Sequence, residues 1–232
     1  VFYIISLYLP AGPTEPGTHK NFTFIHKPPF LNKDFKSELS FTIFNRFISE
    51  YIANIILAFF IVKVMSPYIP HTPFSDDIAK LPFVLQLLIA LFIMDIAIYI
   101  PHRMQHAFFW PYHQIHHSAS ELRWITALRL HPLDHISFAF FGGIILFIFG
   151  FPGDAILYGL YVKEMYSLFV HSNIRLDYPA PLRDIFGSPN FHRWHHAATE
   201  KKAYNKNFAI MFSCIDLVMG SYYCPKNRLP MK

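Results

Sequence analysis

Apolar residues along this chain fall in long blocks instead of alternating with polar ones. Four blocks stand out, Phe47 to Met65, Phe83 to Ile100, Ile136 to Phe151 and Ala155 to Val170. A helix needs about 20 such residues to cross the hydrocarbon of a bilayer, so the first two predict spans. The third, at about 1.5 Å per residue, reaches only about 24 Å. With the fourth it predicts a helical hairpin that dips into the membrane, turned by the FGFPGD of residues 149–154. Residues 1–9, VFYIISLYL, are apolar too and do not begin with Met, which reads as the tail of a missing helix or an interfacial segment. Pro10, Pro13, Pro16, Pro28 and Pro29 make 10–40 a leading loop. The expected fold class is all-α, a multi-pass integral membrane helical bundle with a His-rich helical cap. Residues 1–40 form an N-terminal apolar piece and loop, and 41–232 form one membrane domain.

Composition strengthens this pattern. The chain is 53% hydrophobic and only 15% charged, with 26 Phe and a mean hydropathy of +0.28, too apolar for an ordinary soluble domain. A net charge of +5 raises nucleic acid as a partner, but the cations follow topology instead. Residues 14–40, 101–135 and 171–232 hold 16 of the 20 Lys and Arg, which places those segments, and the histidines within them, on the cytoplasmic side. No nucleic-acid role is needed. Contact with anionic lipid is expected there. Cys214 and Cys224 match neither a disulfide framework nor a zinc-finger pattern and are assigned no role.

The histidines carry the chemistry. HQIHHSAS begins at His113 and HRWHHAAT at His192, so HxxHH is spelled twice, at 113, 116, 117 and at 192, 195, 196. With 14 histidines in 232 residues, two such matches arise by chance roughly once in a thousand chains. On a helix, positions i, i+3 and i+4 share a face, so each motif presents three imidazoles to one small volume. His102 and His106 add an i, i+4 pair. A divalent metal relieves both the unsatisfied nitrogens of neutral rings and the repulsion of charged ones. His131 in RLHPLD, where Pro132 opens a helix, and His171 in VHSN bring the candidate ligands to ten. Ten is too many for one ion, and five for each of two six-coordinate ions leaves an open position on both. Asp95, Tyr99, His102 and His106 form one helical stripe, so Asp95 is expected to accept a proton from a ligating imidazole. Glu164, seven residues before His171, offers the same service or a plain ion pair with Lys163. His135 fits the face but is left out of the ligand set; His19, His26 and His71 read as surface histidines.

These motifs resemble the fatty acid hydroxylase superfamily, membrane di-iron proteins that include sterol oxidases and desaturases, sphingolipid hydroxylases and alkylglycerol monooxygenase. The resemblance runs from about Asp95 to Pro230. DIAIYIPHRMQH resembles the first box, HQIHH the second, RLHPLD and VHSN the intervening elements, and SPNFHRWHH the third. Beyond them the text NKNFA and CIDLVMGSYY departs from the family's usual wording, with Asn207, Asp216 and Gly220 fitting while their neighbours differ. The resemblance implies a catalytic region at 95–220 and two iron ions per chain, with zinc as a substitute after purification. It also implies activation of O2 against an unactivated C–H bond of a lipid, sterol, fatty acyl, sphingoid or ether lipid. Electrons would come from NAD(P)H through a cytochrome b5 or ferredoxin-type partner, in the endoplasmic reticulum or a bacterial inner membrane. Asn207, with Asp95, Tyr99 and Glu164, is expected to support the ligands.

Three other readings stand beside hydroxylation. A desaturase begins with the same hydrogen abstraction and differs in losing a second hydrogen. A metal transporter would place its ligands near the bilayer midplane, whereas these lie beyond the apolar blocks. An idle scaffold would keep a structural metal without a lipid product. The lipid is expected to enter along the Phe-rich helices, with Phe138, Phe140, Phe141, Phe147 and Phe149 as candidate lining.

Overall fold

A computed structural model describes residues 22–24, 34–65, 74–197 and 199–225. Helix α1, Phe35–Val64, is followed by α2, Ser75–Lys80, then α3, Phe83–Phe108, and α4, Trp110–His117. A 3-10 turn at Trp124–Leu128 leads into α5, Pro132–Ile148, and α6, Gly153–Val170. Short helices α7, Leu182–Ile185, α8, Pro189–His195, and α9, Ser213–Val218, complete the order. The architecture is helical, with one addition to the expected class: strand β1, Phe22–Phe24, pairs antiparallel with β2, Ile174–Leu176, so that Phe22 faces Leu176.

Among the described residues two helices, α1 and α3, are long and apolar enough to cross a membrane. Their outward faces are apolar where a water-soluble helix would carry charge: Phe47 is 74% exposed, Tyr51 66% and Phe59 63%, and Val84, Leu88 and Phe92 form a matching stripe on α3. The inward face of α3 packs through Ala90, Met94 and Ile98 against Leu146 of α5 and Ala155 of α6. α5 and α6 form the expected hairpin, reversed where Gly150 takes a φ of 73°. Gly143 of α5 lets α1 approach, since a Cβ there would lie 2.8 Å from Leu57 Cδ2.

One boundary differs from the sequence reading. α1 begins at Phe35, inside the segment read as loop, because tertiary contacts support polar turns that periodicity does not reveal. Thr126 Oγ1 donates to Glu38 Oε1 at 2.8 Å, and Arg129 Nη1 to Ser37 Oγ at 2.7 Å. α3, in agreement with the stripe read from Asp95 to His106, continues past Ile100 and through Pro101 to carry His102 and His106 beyond its apolar portion. Residues 1–9, most of the leading loop, His19, His26 and His71 lie outside the described residues.

Candidate metal centre

Local chemistry fixes the histidine-bearing elements first. α8 opens with Ser188, whose hydroxyl accepts from Phe191 N at 3.0 Å, and with Pro189 in its first turn. That start fixes the phase that turns His192, His195 and His196 inward, where all three are buried. α4, with Pro111 in its first turn, likewise turns His113, His116 and His117 inward, the first two buried and His117 half-buried. His102 and His106 arrive on the last turns of α3, and His171 caps the end of α6.

The structure brings nine of the ten candidate ligands together in two groups. His102, His106, His113, His117 and His195 form one, and His116, His171, His192 and His196 the other, with the ligand atoms of each within 4.8 Å of one another. In the group of five, every Nε2 is buried without a hydrogen-bond partner. The opposite nitrogens explain the orientation. His102 Nδ1 donates to the Phe208 carbonyl at 2.7 Å and His195 Nδ1 to the Lys206 carbonyl at 2.8 Å, leaving each Nε2 lone pair aimed inward. His113 Nδ1 faces Asp134 Oδ2 at 3.4 Å, both groups buried.

In the group of four the Nε2 atoms themselves converge. His171 lies 3.1 Å from His116 and 2.9 Å from His192, and His192 lies 3.1 Å from His196. His171 Nδ1 donates to the Ser167 carbonyl at 2.7 Å, so its neutral ring offers only a lone pair at Nε2. One imidazole nitrogen carries a single proton or a single lone pair and so serves one N–H···N hydrogen bond, whereas His171 Nε2 and His192 Nε2 each meet two others. For metal–nitrogen bonds of about 2.0–2.1 Å, adjacent ligands of an octahedron are about 2.9 Å apart, which is the spacing found. The donor set therefore fits two ions. Burial, aided by neighbouring imidazoles, holds His116, His117, His192 and His196 well below the ordinary imidazole range and His195 at about 3, so these rings stay neutral and free to ligate.

His131 is not in either group. Its Nδ1 accepts from Leu133 N at 3.2 Å as the N-cap of α5, and its ring lies 4.8 Å from Tyr112. One candidate is thereby moved from ligand to helix cap, and the split is five and four, not five and five. Asp95 also differs from expectation: its oxygens accept from the backbone N–H groups of Ile210, Met211 and Phe212 at 2.7–3.1 Å and reach no imidazole. Glu164 pairs with Arg46 of α1, neither with His171 nor with Lys163. Tyr99 bonds Ser221 Oγ at 2.7 Å, and that hydroxyl donates to Asp216 at 2.6 Å.

Sequence reasoning missed how far one loop, 206–212, orients the ligands, because it works through carbonyls. Asn207, at a φ of 60°, staples the loop by donating to the carbonyls of Phe191 and Tyr223 and accepting from Tyr223 N. Asp216 accepts from the N–H groups of Phe208 and Ala209. Burial pushes its carboxyl up to about 6. Asp134 was missed as well, although it stands in RLHPLD.

The histidines separate two cavities. One, of about 230 Å³, runs from His102, His113, His116 and His171 down between α1, α5 and α6. The other, of about 560 Å³, touches His106, His117, His195 and His196 and is walled by Trp110 and Tyr204. Of the five candidate phenylalanines, Phe138 lines the first cavity, 5.7 Å from the His102 ring. Phe140 packs on Phe60 and Phe149 on Phe74.

Residues 87–221 match the family described as fatty acid hydroxylase. The ornithine lipid hydroxylase of Rhizobium tropici is 29% identical over 157 residues, covering 67% of this chain and 46% of that protein. The alkylglycerol monooxygenases of Caenorhabditis elegans and Homo sapiens are 29% and 28% identical over 142 and 139 residues, 60% and 59% of this chain. The chain spans less than half the length of each, 27% and 30% for the latter two. No solved structure matches it.

Proposed function

The chain belongs to the fatty acid hydroxylase family, and from that premise we propose that it is a membrane-embedded di-iron oxygenase that hydroxylates an unactivated C–H bond of a lipid. The observation that carries this reading is the gathering of nine histidines as five and four, seven of them buried and His106 and His117 half-buried. Two iron ions bound there would supply the activation of O2; zinc accepts the same nitrogens without the redox chemistry.

The chain's own residues do the rest. Carbonyls of Phe208, Lys206 and Ser167 hold three imidazoles in the tautomer that points Nε2 inward. Ile98, Phe138 and Ala139 give the first cavity apolar walls, which exclude water from the reacting carbon and admit an alkyl chain. With α1 and α3 crossing the bilayer and the α5–α6 hairpin embedded beside them, this cavity opens on the lipid side. The second cavity faces the cytoplasm, where Lys201 and Lys202 are exposed near Tyr204. That basic rim suits an acidic cytochrome b5 or ferredoxin-type donor fed by NAD(P)H. The placement of Lys and Arg supports an orientation of this multi-pass reading with the histidines at the cytoplasmic face, of the endoplasmic reticulum or a bacterial inner membrane. Relatives named for ornithine lipid and alkylglycerol favour a polar membrane lipid over a sterol.

The test is product analysis. Iron-loaded protein in liposomes of extracted membrane lipid, with a reductase, donor and 18O2, should yield a lipid heavier by one labelled oxygen. Loss of two hydrogens would instead make it a desaturase. Metal flux without any O2-dependent product would sink the oxygenase reading.

A further inference from the structure

Lys163 occupies a place where an ammonium group is costly. It lies on α6 eight residues before His171, about 12 Å from it along the helix, and faces the cavity that descends from the histidines. Among the described residues its Nζ makes no salt bridge. The adjacent carboxylate, Glu164, is held by Arg46, which also donates to Glu50 at 2.9 Å. Asp95 acts on Lys163 through space, but both Asp95 oxygens are committed to backbone N–H groups. What Lys163 does meet is the face of Phe138, 5.9 Å away. Placing a cation in such a cavity costs free energy unless something supplies an acceptor, and the protein does not.

The register of the helices shows what else the cavity holds at each depth. Histidines close one end. A charged belt of Arg46, Glu50, Lys163 and Glu164 follows, balanced overall at two cations and two anions. Farther along, Leu57 of α1, Gly143 of α5 and Leu160 of α6 make the opposite end apolar. A lipid lying in this cavity has tails that suit the apolar end and a polar linkage that suits the belt.

We propose that Lys163 is a specificity-determining residue: it donates to an acceptor oxygen of the lipid's polar linkage, an ester or amide carbonyl or a phosphate oxygen. In this register the carbon facing the histidines belongs to the head group or lies beside the linkage, not in the middle of a chain. The balanced belt asks for an acceptor oxygen and not for a bare counter-ion. The consequence for the oxidised carbon rests on the oxygenase reading; the binding preference does not.

The experiment compares binding by the full chain, metal-loaded but without reductant, in detergent monitored by native mass spectrometry. The probes are phosphatidylethanolamine with 16-carbon acyl chains, which carries ester and phosphate oxygens, and hexadecane, which carries none. Wild type should prefer the phospholipid. Lys163→Met should keep its metal yet weaken that binding about tenfold or more, leaving hexadecane unaffected. Lys163→Arg, which restores a donor, should recover most of the preference. Equal phospholipid binding by wild type and a metal-replete Lys163→Met would overturn the proposal, as would Lys163→Arg behaving like Lys163→Met. A lost preference in Lys163→Met beside a wild type that forms no O2-dependent product would support the lysine site and sink the oxygenase reading. In turnover, the added oxygen should be head-proximal in wild type and scattered in Lys163→Met.

Discussion

At His131 and Asp134, three residues apart, ligation, capping and orientation come apart. His131→Ala removes the side-chain acceptor for Leu133 N and is expected to cost about 0.5–2 kcal/mol in urea unfolding. The metal count should stay that of the wild type; loss of an ion would return His131 to the ligand set. Asp134→Asn should do the reverse. It withdraws the negative charge facing His113 Nδ1, so affinity at the five-histidine site should fall about 10- to 100-fold, as a chelator titration would show; unchanged affinity would leave Asp134 a structural group only. Sequence favoured His131 over Asp134 because ligand-type residues announce themselves by identity and spacing. Which nitrogen a carboxylate reaches depends on where α4 and α5 meet, and no local pattern encodes that.

Among the elements, the joint between α8 and the 206–212 loop sets ligand geometry. Gly187 lies at its centre: its N–H donates to the Met211 carbonyl at 2.8 Å, and a Cβ there would sit 2.6 Å from the Ile210 carbonyl oxygen. Gly187→Ala must therefore push the loop away and should destabilise by about 1–3 kcal/mol. Because Phe208 and Lys206 orient His102 and His195, the five-histidine site should lose metal before the four-histidine site does. Equal stability and full metal in Gly187→Ala would remove the loop from the account. The helices themselves were legible. Apolar blocks located α3, α5 and α6, and the HxxHH spacing placed His192, His195 and His196 on one helical face. The first turns of α1 were not, since Ser37 and Glu38 are supported by Arg129 and Thr126 about 90 positions away. Asp95 was misassigned for a related reason: the stripe through His102 is real, but the partner it meets is backbone from the far end of the chain.

For the whole molecule, burying so many imidazoles makes the metal-free protein sensitive to acid. His195 titrates at about 3 in the folded chain, against an ordinary 6.5, and burial depresses His116, His117, His192 and His196 also. Between those values the unfolded chain binds more protons than the folded one, so stability is full above about pH 6.5 and is lost as pH falls. Each such histidine contributes up to about 1.4 kcal/mol per pH unit. Asp216, raised to about 6, acts oppositely, favouring the fold below its ordinary 3.8 and losing that contribution as pH rises to 6. The depressed histidines outnumber the raised carboxyls. The melting temperature of the metal-free protein should drop from pH 7 to pH 5, and bound metal should be released over the same range; a flat profile would contradict neutral, ligating rings. The claim that two groups of histidines hold two separate ions is tested most directly by metal content per chain. The comparison is wild type, His195→Ala, His192→Ala and the double variant, each purified in detergent and reconstituted with iron under anaerobic conditions. The account predicts about two ions in wild type, about one in each single variant and close to none in the double. Half an ion or less in the wild type, or equal content in all four proteins, would contradict it.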